Sequence, residues 1–162
     1  MANNFSSYPP RGQAPRGGVA NRGFQGGAQP RREPPKPAVA EPLPVNYVDV
    51  AERVIGEGNW ARRITTSKIR RLFSLMTGIY NAELRRTADT LTPESVAQLR
   101  LAQIRMLYEA GRDERGTKEF LKIAKLIEYL KDVGESRAKL LNYFHYMEAL
   151  VAYHKFYGGK EG

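Results

Sequence analysis

Cysteine is absent from this chain of 162 residues, so it has neither a disulfide framework nor a thiolate metal site. Histidine occurs only at positions 145 and 154, which leaves few imidazole ligands for a metal. No run of about 18 apolar residues is present, so no segment reads as a membrane-spanning helix. The N-terminal stretch lacks the apolar centre of a signal peptide, and a reducing, cytoplasmic compartment fits that pattern. Proline is nearly missing from most of the chain: nine of the ten lie before residue 45, and only Pro93 lies beyond. There is no Gly-rich phosphate loop, nucleophile elbow or His-Glu-x-x-His motif. The sequence therefore offers no catalytic residues, no cofactor and no metal site.

What it does have is positive charge, 26 Lys and Arg against 17 Asp and Glu, for a formal net charge of +9. That bias suits a polyanionic partner, nucleic acid before an anionic membrane surface. Residues 1–44 form an arm of low complexity whose few apolar side chains cannot offset the entropy of ordering. The arm carries six basic and two acidic residues. Arg-Gly pairs recur at 11–12, 16–17 and 22–23, with Phe5, Tyr8 and Phe24 among them. Arginine supplies phosphate contacts, glycine keeps the chain loose and the aromatics offer stacking faces, which suits sequence-tolerant RNA contact. A passive, solubilising tail has the same composition.

Residues 45–162 read as one all-α domain, a compact bundle of five helices. Asn46 is placed to cap the first, and Gly56 and Gly58 end it. Thr65 or Thr66 caps a second with Ile69, Leu72, Phe73, Met76, Ile79 and Tyr80 on one face. Thr92-Pro93-Glu94 opens a third, running through Leu99, Leu107 and Ala110 to Gly111. A fourth runs from near Thr117 through Phe120, Ala124, Ile127 and Leu130 to Gly134. Ser136 opens the fifth, with Leu140, Phe144, Met147 and Val151 on one face and Gly158 as its stop.

The second helix begins against the usual electrostatic rule. Thr65-Thr66-Ser67-Lys68-Ile69-Arg70-Arg71 puts three cations in the first turns, where the helix dipole favours anions. A phosphate received by the free amides, the hydroxyls and the cations Lys68, Arg70 and Arg71 would explain it. A solvated basic face is the alternative. A second basic cluster holds Arg112 and Arg115 within Gly111-Arg112-Asp113-Glu114-Arg115. Arg100 and Arg105 are placed to extend it. On the fifth helix Arg137, Glu148 and Lys155 share a narrow charged stripe, within about 20° on a wheel. Tyr146, Leu150, Tyr153 and Tyr157 follow one another at helical spacing, a pattern for a subunit interface or for contact with a neighbouring helix. His145 and His154 are half a turn out of phase, so they cannot share a metal ion, and His154 reads as a hydrogen-bonded core residue.

Three segments resemble one family. They are Thr65-Thr66-Ser67-Lys68-Ile69-Arg70, Tyr108-Glu109-Ala110-Gly111-Arg112, and the run from Tyr146 to Lys160, with Asn46-Tyr47-Val48-Asp49 ahead of them. The order and spacing are similar to those of the small subunit of the type III-A (Csm) CRISPR effector complex. The resemblance covers about residues 45–162 and leaves the Arg-Gly arm outside. It implies a non-catalytic helical subunit in antiviral defence whose copies stack as an inner filament. Its implied partners are guide RNA and target RNA, the Csm backbone subunits, the large subunit and other copies of itself. It implies that target cleavage belongs to the backbone subunits, and DNA cleavage and cyclic oligoadenylate synthesis to the large subunit. Lys68, Arg70 and Arg112 sit in the matching motifs as RNA-backbone contacts. A free-standing RNA chaperone acting through the arm and a metal nuclease built on His145 and Glu148 are the competing functions.

Overall fold

The computed structural model describes Pro34 and residues 36–162. The expectations for Arg-Gly pairs and aromatics in residues 1–33 fall outside that range. Among the described residues the structure is helical, with one antiparallel bridge between Thr90 and Ser136. It has seven α-helices and a π-helical turn where the sequence suggested five helices. They are α1 (Tyr47–Glu57), α2 (Trp60–Arg63), α3 (Thr66–Leu84), α4 (Pro93–Arg112), the π turn (Glu114–Lys118), α5 (Glu119–Ile123), α6 (Leu126–Val133) and α7 (Arg137–Phe156).

The differences have local causes. α2 is a single turn, too short to leave a periodic signal. Asn59 starts it from a left-handed conformation, φ 51°, and buried Trp60 anchors it against Phe120, with ring centroids 5.5 Å apart. The expected fourth helix breaks at Lys125, also left-handed at φ 49°. Two carbonyls flanking the break accept from hydroxyls of α7. Tyr146 donates to the Ala124 carbonyl and Tyr143 to the Leu126 carbonyl, each at 2.9 Å. Tyr146→Phe leaves a buried acceptor unmet, and about 1–3 kcal/mol of stability is expected to be lost in urea denaturation. A midpoint equal to that of the parent chain would show that the bond contributes nothing.

The hydroxyl caps hold as read. Thr65, Thr92 and Ser136 each accept from the amide three residues on. Asn46 precedes α1, but its side chain makes no capping bond. Gly111 does not stop α4, which continues to Arg112 and is capped by Asp113. The inward face of α4 is Leu99, Ala102, Met106 and Ala110, whereas Leu107 is half exposed.

Helix α7 is the centre of the bundle. It packs on α1, α2, α3 and α6, while α4 packs on α3, the π turn and α6 and brings Met106 Sδ within 3.9 Å of the Tyr143 hydroxyl. That explains a helix apolar almost all round: Leu140, Tyr143, Phe144, Tyr146, Met147 and Leu150 are all buried. Residues 38–43, grouped with the arm by composition, lie against α6. The Glu41 amide donates to the Glu128 carbonyl at 3.1 Å and Lys131 Nζ to the Ala38 carbonyl at 2.5 Å. Leu43 packs against the core.

Candidate nucleic-acid interface

The two basic motifs lie about 45 residues apart in sequence, and the fold puts them side by side. Lys68 Nζ, one turn into α3, donates to Asp113 Oδ2 at 2.8 Å. One turn further on, Arg71 donates to Glu109 on α4 at 3.1 Å. Both pairs are partly exposed, so each contributes at most about 1 kcal/mol. Their effect is to hold two backbone segments in register.

Asp113 is the hinge of this junction. Besides Lys68, its carboxylate accepts from the Gly116 amide at 3.2 Å, and from the Thr117 amide and hydroxyl at 2.8 and 3.0 Å. The Lys68 ammonium first, then the Thr117 amide, hold its carboxyl well below the usual carboxylate range. A side chain at Gly116 would collide with that carboxylate, so the π turn requires glycine there. The charge cluster therefore has a fixed backbone. The sequence did carry a signal for it: Asp113, Gly116 and Thr117 are spaced as an aspartate cap and its amides.

Around this junction the cations fall into two sets. Lys68 and Arg71 have carboxylate partners. Arg70, Arg112 and Arg115 have none among the described residues, and all three are exposed. The Arg112 guanidinium lies 5.8 Å from the centroid of the Tyr108 ring, a position from which it is free to turn outward. Arg70 projects about 160° from Lys68 around α3, toward the closing segment. There Lys155 first, and Arg70 among the farther charges, hold the Glu161 carboxyl below its usual range.

The start of α3 is not the open phosphate cradle expected from Thr65, Thr66 and Ser67. The Thr66 amide and hydroxyl both donate to the Lys160 carbonyl, at 2.8 and 3.2 Å, and Thr66 is buried. The Lys68 amide is taken by Thr65 Oγ1 at 3.3 Å. The closing segment is in turn pinned by the Lys160 amide, which donates to the Ala61 carbonyl at 2.7 Å. Only Ser67, of these three residues, stays exposed. Anion contact at this end falls to side-chain cations rather than helix amides.

Two other sequence assignments change. Arg137 does not face outward: its Nε donates to the Glu83 carbonyl at 2.8 Å and a terminal nitrogen to the Leu84 carbonyl at 3.1 Å. It closes the C-terminal end of α3, where cations suit the dipole. Tyr146 and Leu150 are fully buried inside the chain and offer nothing to a partner, whereas Tyr157 is exposed and Tyr153 half-buried. Lys155 remains exposed, paired with Glu161 at 2.9 Å.

The histidines are separately engaged. His154 is buried with Nε2 2.8 Å from the Ile64 carbonyl, and His145 Nε2 lies 3.3 Å from the Tyr80 hydroxyl. Among the described residues no three potential ligands of His, Asp or Glu converge. Nor is any described helix long and apolar enough to cross a membrane.

Residues 44–160 match the family model described as Csm2 Type III-A. The chain belongs to the Csm2 type III-A family. It is 42% identical over 122 residues to the CRISPR system Cms protein Csm2 of Streptococcus thermophilus, covering 72% of this chain and 94% of that protein. It is 34% identical over 118 residues to the Csm2 protein of Mycobacterium tuberculosis strain CDC 1551, with the same coverage of 72% and 94%. The Csm2 protein of Enterococcus italicus is 32% identical over 97 residues, covering 58% of this chain and 68% of its own length. The Csm2 match begins at the docked end of the arm and takes in all seven helices, the Lys68–Asp113 junction and the closing segment up to Lys160.

Proposed function

We propose that this Csm2-family chain is the non-catalytic small subunit of a type III-A Csm ribonucleoprotein effector complex. Its copies form an inner filament and contact the backbone of target RNA paired with guide RNA. The observation that carries this reading is the Lys68–Asp113 pair, which joins the two basic motifs into one rigid end. Arg70, Arg112 and Arg115 are left there without carboxylate partners among the described residues. Planar guanidiniums on a fixed backbone suit phosphate oxygens, and nothing at this end is shaped to read base edges. Lys68 and Arg71 add charge while keeping their carboxylates, and Ser67 and Lys155 lie at the margin. Tyr153 and Tyr157 serve as part of the contact between neighbouring subunits in the cytoplasmic complex.

Co-purification tests the membership. With tagged backbone subunits, large subunit and guide RNA expressed together, the chain is expected to elute with them in more than one copy, as native mass would report. An assembled complex that forms without this chain would contradict the proposal.

A further inference from the structure

Helix α4 has two apolar faces. The inward one, Leu99, Ala102, Met106 and Ala110, is at most 6% exposed. About 180° around the helix, Ala97, Leu101, Ile104 and Tyr108 repeat at i, i+4, i+7 and i+11. The three larger residues of that ridge are 43%, 61% and 64% exposed. One buried face suffices to hold α4 in the bundle, so the ridge has no packing role among the described residues. Arg100, Arg105 and Arg112 flank it, and none has a carboxylate partner among the described residues.

A second exposed apolar patch lies at α1 and the end of α7. Phe156 is 78% exposed and Val48 46%. Tyr157 stacks on Tyr153 and meets Phe156 edge-on, with centroids 6.4 and 5.3 Å apart. The rim here is acidic: Asp49, Glu52 and Glu57 surround a shallow hollow that Tyr157 also lines, with Arg53 the one cation lining it. Tyr157 donates to Glu52 at 3.1 Å, which fixes the ring against the rim.

The two surfaces sit on separate sides. α1 packs on α7 and α2, α4 packs on α3, the π turn and α6, and α1 and α4 make no substantial contact. One is an apolar ridge with basic flanks, and the other is an aromatic patch with an acidic rim. Each is complementary to the other and repels itself, because ridge against ridge would oppose arginines and patch against patch would oppose carboxylates.

We infer that the α4 ridge of one copy docks on the α1/α7 patch of the next copy. Two different surfaces meet, so the contact is heterologous and leaves a free ridge and a free patch at the two ends of the row. This assigns the surfaces of the filament in the proposed function and rests on that reading.

The absence of native cysteine makes the test direct. Ile104→Cys and Phe156→Cys copies carrying different tags are mixed and oxidised, both as free chains and within the assembled complex. The expected product is a covalent dimer containing both tags, with the double variant giving a ladder. Adducts joining two copies of the same variant, or no adduct in either setting, would overturn the inference. Charge provides the second measurement. Arg100→Glu with Arg105→Glu is expected to abolish association in sedimentation velocity, and mixing with Asp49→Lys/Glu52→Lys copies, which do not associate alone, is expected to restore it as rows in which the two variants alternate. RNA affinity of the same arginine variant separates the two readings: reduced RNA binding with association unchanged would assign the ridge to RNA and overturn the docking.

Discussion

Glu83→Ala is expected to destabilise the bundle by about 3–5 kcal/mol, because it removes a buried carboxylate that accepts from a guanidinium, an amide and a hydroxyl at once. For a domain of this size that lowers the melting temperature by roughly 10–20 °C. The Glu83 side chain is wholly buried at the end of α3. Oε1 accepts from the Thr92 amide and hydroxyl, both at 3.2 Å, and Oε2 accepts from Arg86 at 2.7 Å. One carboxylate thus ties the end of α3 to the start of α4, while Arg137 closes the carbonyls of the same turn. Without it the Thr92 amide loses its acceptor, and Arg86 keeps only the Thr90 carbonyl, at 3.0 Å.

Acid tests the same residue without a large cavity. Burial opposes ionisation of Glu83, but bonds from Ser95, Arg86 and Thr92 outweigh it and hold the carboxyl at about 2, against 4.5 in an unfolded chain. A depressed folded-state value means that the stabilisation is complete above about pH 4.5 and is lost as pH falls toward 2. The amount at stake is about 3 kcal/mol. Glu83→Gln is expected to flatten that part of the pH profile in thermal melts followed by circular dichroism. A variant profile parallel to that of the parent chain would show that another group governs acid unfolding.

The sequence carries what is local. Thr65, Thr92 and Ser136 cap as hydroxyls before helical runs do, because a cap needs only its own amide three residues on. The apolar spacing of α3 likewise predicts that Ile69, Leu72, Met76 and Ile79 face inward. What stayed hidden depends on distant partners. The break at Lys125 is completed by tyrosine hydroxyls from α7, about 20 residues away in sequence. The start of α3 is closed by a carbonyl 94 residues downstream, which no local pattern reveals. Spacing groups Tyr146, Leu150, Tyr153 and Tyr157 on one helix face. It does not say that the bundle buries the first two and leaves the last exposed.

The same distinction governs the basic residues. Composition marks Lys68, Arg70, Arg71, Arg112 and Arg137 alike. Only the fold separates Arg137, which caps a helix, from Lys68 and Arg71, which position the junction, and from Arg70 and Arg112, which are free to meet a ligand. It also changes how the interface is best probed. Lys68→Glu would set a second carboxylate against Asp113 and disturb the π turn, so a loss of RNA binding there would confuse folding with contact. Arg70→Glu with Arg112→Glu leaves the Lys68–Asp113 and Arg71–Glu109 pairs in place.

Target-RNA affinity of the assembled complex, followed across salt concentrations with and without Arg70→Glu/Arg112→Glu, is therefore the most direct measurement. Removing two phosphate contacts is expected to lower affinity about 10- to 100-fold near physiological salt, uniformly across RNA sequences, and to reduce the salt slope by about 2. An unchanged affinity and slope in a complex that still contains the variant chain would contradict RNA contact through this end of the bundle.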